Sequence, residues 1–191
     1  MATIGLMIHP NEIKNNGFVD ENVDDKSIRV AILLAMQKEI FQFLGSGLYN
    51  EINDQIEADT LTANNTSLLS NYIQPALEWW AMYYLVKPLL YKITNKSIVR
   101  KNSENANSIG ASEATDLRND FKNFAEERTQ RMISYLCEND TTYPLYLNPG
   151  TGSDVVYPRK FAYETGWNLQ GSKYRNPNTD DPQDDGDYQV Y

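Results

Sequence analysis

The sequence predicts a mainly α-helical fold, in which a bundle of about four helices carries long extended arms at both termini. Apolar residues recur at spacings of three and four in three long stretches, around residues 26–44, 66–91 and 115–139. Five of the eight prolines follow Asp140, which excludes a long helix in the last part of the chain. With 191 residues, the chain is long enough to bury one sizeable core.

Shifts in composition divide the chain into three predicted parts. Residues 1–22 are polar and are expected to form an N-terminal arm or loop, whereas residues 23–140 form the helical bundle domain. Residues 141–191 form an extended C-terminal arm with an acidic tail, because they combine many prolines with little apolar content. Within the bundle domain, residues 92–112 are rich in Asn, Ser and Lys. They predict an exposed basic loop, with a short extended piece at Ser97 to Val99.

The stretch from residue 66 to 91 is predicted to be the central helix of the core. In its last sixteen residues only Glu78 and Lys87 are charged. A helix that is apolar on nearly all sides must be covered on most of them. Pro75 lacks an N–H, so we expect a helix start or a kink there. The aromatic cluster would also suit a platform that stacks sugars or bases, but aromatic residues at helical spacing usually belong to a core.

The first and last long helices are expected to pack against this central helix. Asp24 or Asp25 offers an N-cap for the first helix. Gly45 and Gly47 are expected to end it, and Ser46 can cap the shorter helix that follows. The side chains predicted to form the core are Trp80, Tyr84, Ile32, Met36, Phe121 and Phe124.

The C-terminal arm carries large side chains that it has too little apolar content to bury by itself. These predicted contact residues are Tyr157, Phe161, Tyr163 and Trp167. Large apolar groups on an extended segment without its own core indicate docking onto a partner. For the last sixteen residues, the alternative is intrinsic disorder.

Charge is spread unevenly along the chain. The net charge of −9 argues against a protein that coats nucleic acid by neutralising phosphates. Residues 87–101 carry five basic side chains and no acidic one, whereas residues 176–191 carry five aspartates and no basic one. Separate acidic and basic surfaces suit head-to-tail contact between identical copies. The alternative is a loop and a tail that are merely solvated.

The candidate catalytic groups are too scattered to predict an enzyme. His9 is the only histidine, and a dyad with Cys137 would require the N-terminal arm to reach the last long helix. Cys137 is read more simply as a small core residue, and a single cysteine excludes an internal disulfide framework. Residues 181–187 match the first offsets of a calcium loop but lack its twelfth-position glutamate. We therefore predict no cofactor and no metal site. We also predict no contact with a membrane, because only eight uncharged residues separate Glu78 from Lys87.

Three motifs carry a resemblance to a known family. They are YIQPAL at 72–77, NKSIVRKNSE at 95–104, and the CEN…YPLY close of the last long helix. With the longer stretches around them, they resemble the head–tail connector proteins of tailed bacteriophages, most closely the ring proteins of crAss-like phages. The resemblance covers roughly residues 20–148 and includes no catalytic signature, and the chain beyond it departs from the family's pattern.

The resemblance implies a structural virion protein at the head–tail junction, assembled in the host cytoplasm. Such a protein forms a closed ring beneath the portal protein, typically twelvefold, which extends the DNA channel and receives the tail or a second ring. An acidic lumen would let DNA pass without specific binding. The basic side chains expected to meet an acidic surface of an adjacent subunit or of the portal are Lys92, Lys96, Arg100 and Lys101.

Two other classes of protein remain open from the residues alone. One is a cytoplasmic helical adaptor that binds a protein partner and forms no ring. The other is a small nuclease in which Asp and Glu side chains hold a metal ion.

Overall fold

Helices dominate the structure, a computed structural model that describes residues 5–15, 18–93, 95, 97–100 and 110–163. The predicted mainly α-helical fold is confirmed. In the order of the chain, the elements are α1 Pro10–Asn15, α2 Asp25–Ala35, α3 Phe41–Glu57, α4 Ala63–Leu68, α5 Gln74–Leu90, β1 Tyr91–Ile93, β2 Ile98–Arg100, α6 Ala111–Glu138 and α7 Pro144–Leu147. Among these described helices, none combines the length and the apolar content that crossing a membrane requires.

Helices α2 and α3 form one helical path that is joined by a π-helical turn and broken at a glycine. Asp24 caps its start as predicted, because its carboxylate accepts a hydrogen bond from the Lys26 N–H at 3.1 Å. The π turn spans Met36–Ile40. Gly45 has φ 73° and ψ 164°, a conformation that is almost confined to glycine. The predicted helix end at Gly45 is therefore confirmed as a break, after which the helix resumes in a new direction.

Helices α4 and α5 form a second continuous path, and the turn between them explains how it tolerates a proline. A π turn at Leu69–Ile73 lies directly before Pro75. In a regular α-helix the proline ring would clash with the carbonyl of the residue four positions earlier, which is Asn71. The wider ring of a π turn relieves that clash. A helix start or a kink is expected at this proline, and α5 indeed starts beside it, at Gln74, directly after the π turn.

Helix α5 lies between α2 and α6 and forms the centre of the core. Trp80 is 3% exposed, and its Nε1–H donates to the Thr129 hydroxyl of α6 at 2.9 Å. Ile32, Met36 and Phe121 are buried as predicted. Tyr84 is only half-buried, and its hydroxyl donates to the carboxylate of Glu39. The prediction of a central helix packed between the first and last long helices is confirmed.

The prediction that Phe124 belongs to the core is wrong. Its side chain is 47% exposed, because Phe124 lies about 100° around the helix from the buried Ala125, at the edge of the buried stripe. Thr129 of the buried stripe accepts the hydrogen bond from Trp80. The buried residues of α6 are Ala114, Phe121, Ala125, Glu126, Thr129, Met132, Ile133 and Leu136. Bulky residues at helical spacing therefore marked the edge of this interface as well as its centre.

Residues 5–15 pack onto the bundle and do not form the polar loop that their composition predicts. Met7, Ile8 and Ile13 are buried, and the carbonyl of Met7 accepts a hydrogen bond from the Gln74 side chain at 2.9 Å. Lys14 of α1 pairs with the carboxylate of Asp25. Three buried apolar side chains, a hydrogen bond and an ion pair therefore hold this short segment on the core.

The predicted basic loop contains a β-hairpin. Strands β1 and β2 pair antiparallel, with Lys92 opposite Val99. The expected extended piece at Ser97 to Val99 corresponds to β2. Lys96 and Lys101 lie outside the described residues, and for Lys92 and Arg100 the structure describes the backbone alone. Their predicted contact with a partner stays a prediction.

Candidate interaction surface

The first part of the C-terminal arm lies along the bundle at the Gly45 break. We call residues 149–163 the docked arm. The Val156 N–H donates to the Ser46 hydroxyl at 3.0 Å, and the Ser46 N–H donates to the Val156 carbonyl at 2.9 Å. Further along, the Arg159 N–H donates to the Gln42 carbonyl at 2.8 Å. Residues separated by more than one hundred positions in the sequence therefore pair through their backbones.

The helix break supplies the groups that hold the docked arm. In an uninterrupted α-helix the Ser46 N–H would donate to the Gln42 carbonyl, four residues earlier. Here each of these two groups bonds to the arm, to Val156 and to Arg159 respectively. The sequence predicted that Ser46 caps a helix, but its hydroxyl accepts a hydrogen bond from the Val156 N–H of the arm. The break at Gly45 is thus an attachment point.

Two glycines make room for this attachment. A Cβ atom on Gly45 would lie 2.9 Å from the Val156 carbonyl oxygen and 2.9 Å from the Pro158 ring. A Cβ atom on Gly47 would lie 2.6 Å from the Cα of Pro149. Any side chain at either position would push the arm away from the helix. The sequence signal for these glycines was therefore correct, but close approach of a second segment is an additional reason for them.

The side chains of the docked arm alternate between the bundle and the exterior. Pro158 and Ala162 face the bundle and are buried, and the Ala162 N–H donates to the Gln130 side chain at 3.1 Å. Tyr157 and Phe161 are each 67% exposed, and Tyr163 is 49% exposed. This period of two is that of an extended chain with one face covered.

The expectation that the whole arm needs a partner to cover it is wrong for its inner face, which covers the chain's own bundle. The expectation that its aromatic residues are exposed in the single chain is met at the three described positions. Trp167 lies outside the described residues.

The docked arm closes a polar cavity of about 150 Å³ against the bundle. Its charged lining comes from the bundle residues Glu39, Lys122 and Glu126 and from Arg159 of the arm. Glu126 is buried, and one of its carboxylate oxygens lies 3.4 Å from the Lys122 ammonium nitrogen. The Arg159 guanidinium lies 5.5 Å from the centre of the Phe43 ring. Acidic and basic groups thus line the same cavity, which suits holding the arm in place.

A tyrosine beside this cavity has a perturbed pKa. Burial raises the pKa of Tyr84, and the hydrogen bond to Glu39 and the charge of that carboxylate raise it further. Tyr84 is therefore protonated at neutral pH and acts as a hydrogen-bond donor between α5 and the π turn.

The two residues considered for a catalytic dyad are His9, which lies directly before α1, and Cys137, which lies on α6. His9 is exposed, and its Nδ1 accepts a hydrogen bond from the Asn11 N–H at 3.2 Å, at the start of α1. Cys137 is exposed on α6, so its reading as a core residue is wrong. Within the described ranges, no group of three or more His, Cys, Asp or Glu side chains is placed to hold a metal ion.

A second aromatic surface lies on the other side of α6. We call Phe18, Trp79, Phe121 and Phe124 the aromatic patch. The Trp79 ring centre lies 4.8 Å from that of Phe124 and 5.7 Å from that of Phe18. Phe18 is 63% exposed. Sequence reasoning missed this surface, because it assigned Phe18 to a polar arm and Phe124 to the core.

The fold and these surfaces define a mainly helical protein that displays aromatic side chains at two separate places. The chain belongs to a family described as "Family of unknown function (DUF6712)", whose model matches residues 40–155. The match includes the Gly45 break and the beginning of the docked arm. No curated protein matches the chain, and no solved structure does.

Proposed function

We propose that this chain is a structural virion protein that forms a ring between the portal and the tail of a bacteriophage. The observation that carries the proposal is the row of exposed aromatic side chains on the docked arm. Tyr157 and Phe161 are the most exposed large apolar groups of the described chain. Grouped apolar side chains of this kind mark protein–protein interaction sites. The resemblance of three sequence motifs to connector ring proteins supplies the kind of assembly.

The architecture suits a subunit that must keep its shape within a ring. The docked arm is held by backbone hydrogen bonds at Val156 and Arg159, so its aromatic face is fixed before any partner arrives. A preorganised surface loses less conformational entropy on binding than a free arm does. The net charge of −9 disfavours adhesion to phosphates, as a channel for passing DNA requires.

The proposal is tested by assembling the chain with the portal protein of the same phage. The purified chain, alone and mixed with that portal, is measured by light scattering and imaged by electron microscopy. We expect a ring of identical copies seated on the portal. A matched sample with an unrelated dodecameric ring protein controls for adhesion.

The runner-up function, a helical adaptor that forms no ring, predicts a different particle. It would give a complex of fixed small stoichiometry with a protein other than the portal. A chain that shows no affinity for the portal and binds one copy of another partner would replace the ring proposal with the adaptor.

A further inference from the structure

The two aromatic surfaces of the chain lie on opposite flanks of α6. Lys122, Glu126 and Gln130 follow one another at four-residue intervals on the flank that meets the docked arm. Phe124 stands two residues from both Lys122 and Glu126, and two residues turn an α-helix by about 200°. The aromatic face of the docked arm therefore points away from the aromatic patch of the same chain.

We propose that the docked arm of one copy binds the aromatic patch of a second copy, as a head-to-tail contact. This inference rests on the proposed ring assembly and names the two surfaces that would close it. Because the two surfaces differ and face apart, a contact between them cannot be satisfied within one chain. Repeated contacts of this kind close a ring when the rotation between copies permits it.

The chemistry of the two surfaces is complementary. Both present aromatic rings, which supply a large contact area with few rotatable bonds. Among the aromatic residues of the docked arm, between Tyr157 and Tyr163, the charged side chains are the exposed Arg159 and the half-buried Lys160. The one acid of the arm, Asp154, lies three residues before Tyr157, so the arm carries more basic than acidic side chains. The rim of the aromatic patch is mainly acidic. Its exposed charged residues are Asp20 and Glu21 after Phe18, and Asp120, Glu127 and Arg128 within one turn of Phe124.

Charge of opposite sign on the two surfaces favours this pairing over the alternatives. A patch-to-patch contact would bring two acidic rims together, and an arm-to-arm contact would bring two basic segments together. Like charges placed opposite each other across an interface disfavour a contact. The arm-to-patch contact is the arrangement in which each rim meets the opposite sign.

The experiment uses two full-length variants, each with one surface disabled. Phe124→Asp disables the patch, and Phe161→Asp disables the arm. Both side chains are exposed, so neither change removes a core group. Val30→Asp is the matched control, because it places the same charge on an exposed apolar position of α2. Circular dichroism checks that all three variants are folded.

We expect each variant alone to associate at least about thirtyfold more weakly than the wild type, as for a central interface residue. An equimolar mixture of the two variants should form heterodimers and nothing larger, since it retains one intact arm and one intact patch. Sedimentation analysis over a wide concentration range measures both results. Val30→Asp should associate like the wild type.

Several results would overturn the inference. A mixture that stays monomeric, or variants that associate as well as the Val30→Asp control, would show that these surfaces do not meet. A wild type that is monomeric both alone and with the portal would overturn the inference and the proposed function together.

The two proposals can also fail separately. Normal rings of both variants on the portal would leave the proposed function standing and remove this contact. If the two variants form heterodimers but the wild type does not bind the portal, the contact stands and the proposed function is contradicted. If another protein binds the aromatic patch and the mixture of the two variants forms no heterodimer, the patch belongs to that other partner.

Discussion

At the scale of single residues, the pairing of Trp80 with Thr129 explains how α5 and α6 pack. A buried indole N–H needs an acceptor, and the Thr129 hydroxyl supplies one at 2.9 Å. Threonine is also small enough to lie beside the indole ring on the buried stripe of α6. The central aromatic side chain is therefore satisfied both in packing and in hydrogen bonding.

The first prediction concerns this pair. Trp80→Ala should lower the free energy of unfolding by about 3–5 kcal/mol, because it leaves a cavity in the core. Thr129→Val should lower it by about 1–3 kcal/mol, because the indole N–H would lose its acceptor in a buried place. Urea denaturation measures both changes. Phe124→Ala, on an exposed aromatic of the same helix, is the control and should cost much less than Trp80→Ala. Equal losses at the two aromatic positions would contradict the core assignment.

At the scale of elements, the sequence predicted the helices well and their lateral contacts less well. The period of apolar residues and the near absence of charge in α5 were sufficient to place the central helix, because both are local properties. Which flank of α6 is buried depends on the shape of α5, so Phe124 was assigned to the wrong side.

The docked arm was predicted as extended and rich in exposed aromatic residues, yet its place on the bundle was not predictable. Its attachment rests on hydrogen bonds between Ser46 and Val156, which are 110 positions apart. Gly45 predicted a break in the helix, but a glycine alone does not predict which segment packs at the break.

The second prediction tests the role of the break in holding the arm. Gly45→Ala should release the docked arm, because its Cβ atom would meet Val156 and Pro158 and because φ 73° disfavours alanine. Limited proteolysis should then cut within residues 149–163 faster than in the wild type. Gly150→Ala is the control, since that glycine also has a positive φ of 112° but has nothing within 4 Å of its Cβ position. Equal acceleration in both variants would show that backbone strain alone, and not the clash, loosens the arm.

The third prediction concerns the hairpin and the basic segment after it. Charge reversal of Arg100 and Lys101 together should weaken assembly, and the effect should be larger at low salt, where screening is weak. The control is charge reversal of Lys26 and Arg29 on α2, which changes the net charge by the same amount at exposed positions. Assembly is followed by sedimentation and by binding to the portal. If both double variants assemble like the wild type, the basic segment is solvated or faces DNA.

At the scale of the whole molecule, two electrostatic effects act in opposite directions on the proposed self-association. Copies that each carry a net charge of −9 repel one another at a distance. In the proposed contact, the basic arm and the acidic rim attract each other at short range. Salt at about 0.1 M screens charges that lie more than about 10 Å apart and affects close pairs less. A change in salt concentration alone therefore cannot separate the two effects. Two substitutions that change the net charge by the same amount, one inside the contact and one outside it, can separate them.

The fourth prediction uses such a pair on one helix. Asp120→Lys and Glu138→Lys raise the net charge by the same amount, so they reduce the general repulsion between copies equally. Both acids are exposed on α6, but Asp120 lies one turn from Phe124 on the rim of the aromatic patch, whereas Glu138 is the last residue of the helix. We expect Glu138→Lys to associate as well as the wild type or better, because only repulsion is removed. Asp120→Lys should associate several-fold more weakly than Glu138→Lys, since it also places a positive charge opposite Arg159 and Lys160 of the arriving arm. Sedimentation at several salt concentrations measures the difference, which should shrink as salt rises. Two variants that behave alike at every salt concentration would show that net charge alone governs self-association and that the acidic rim makes no contact with the arm.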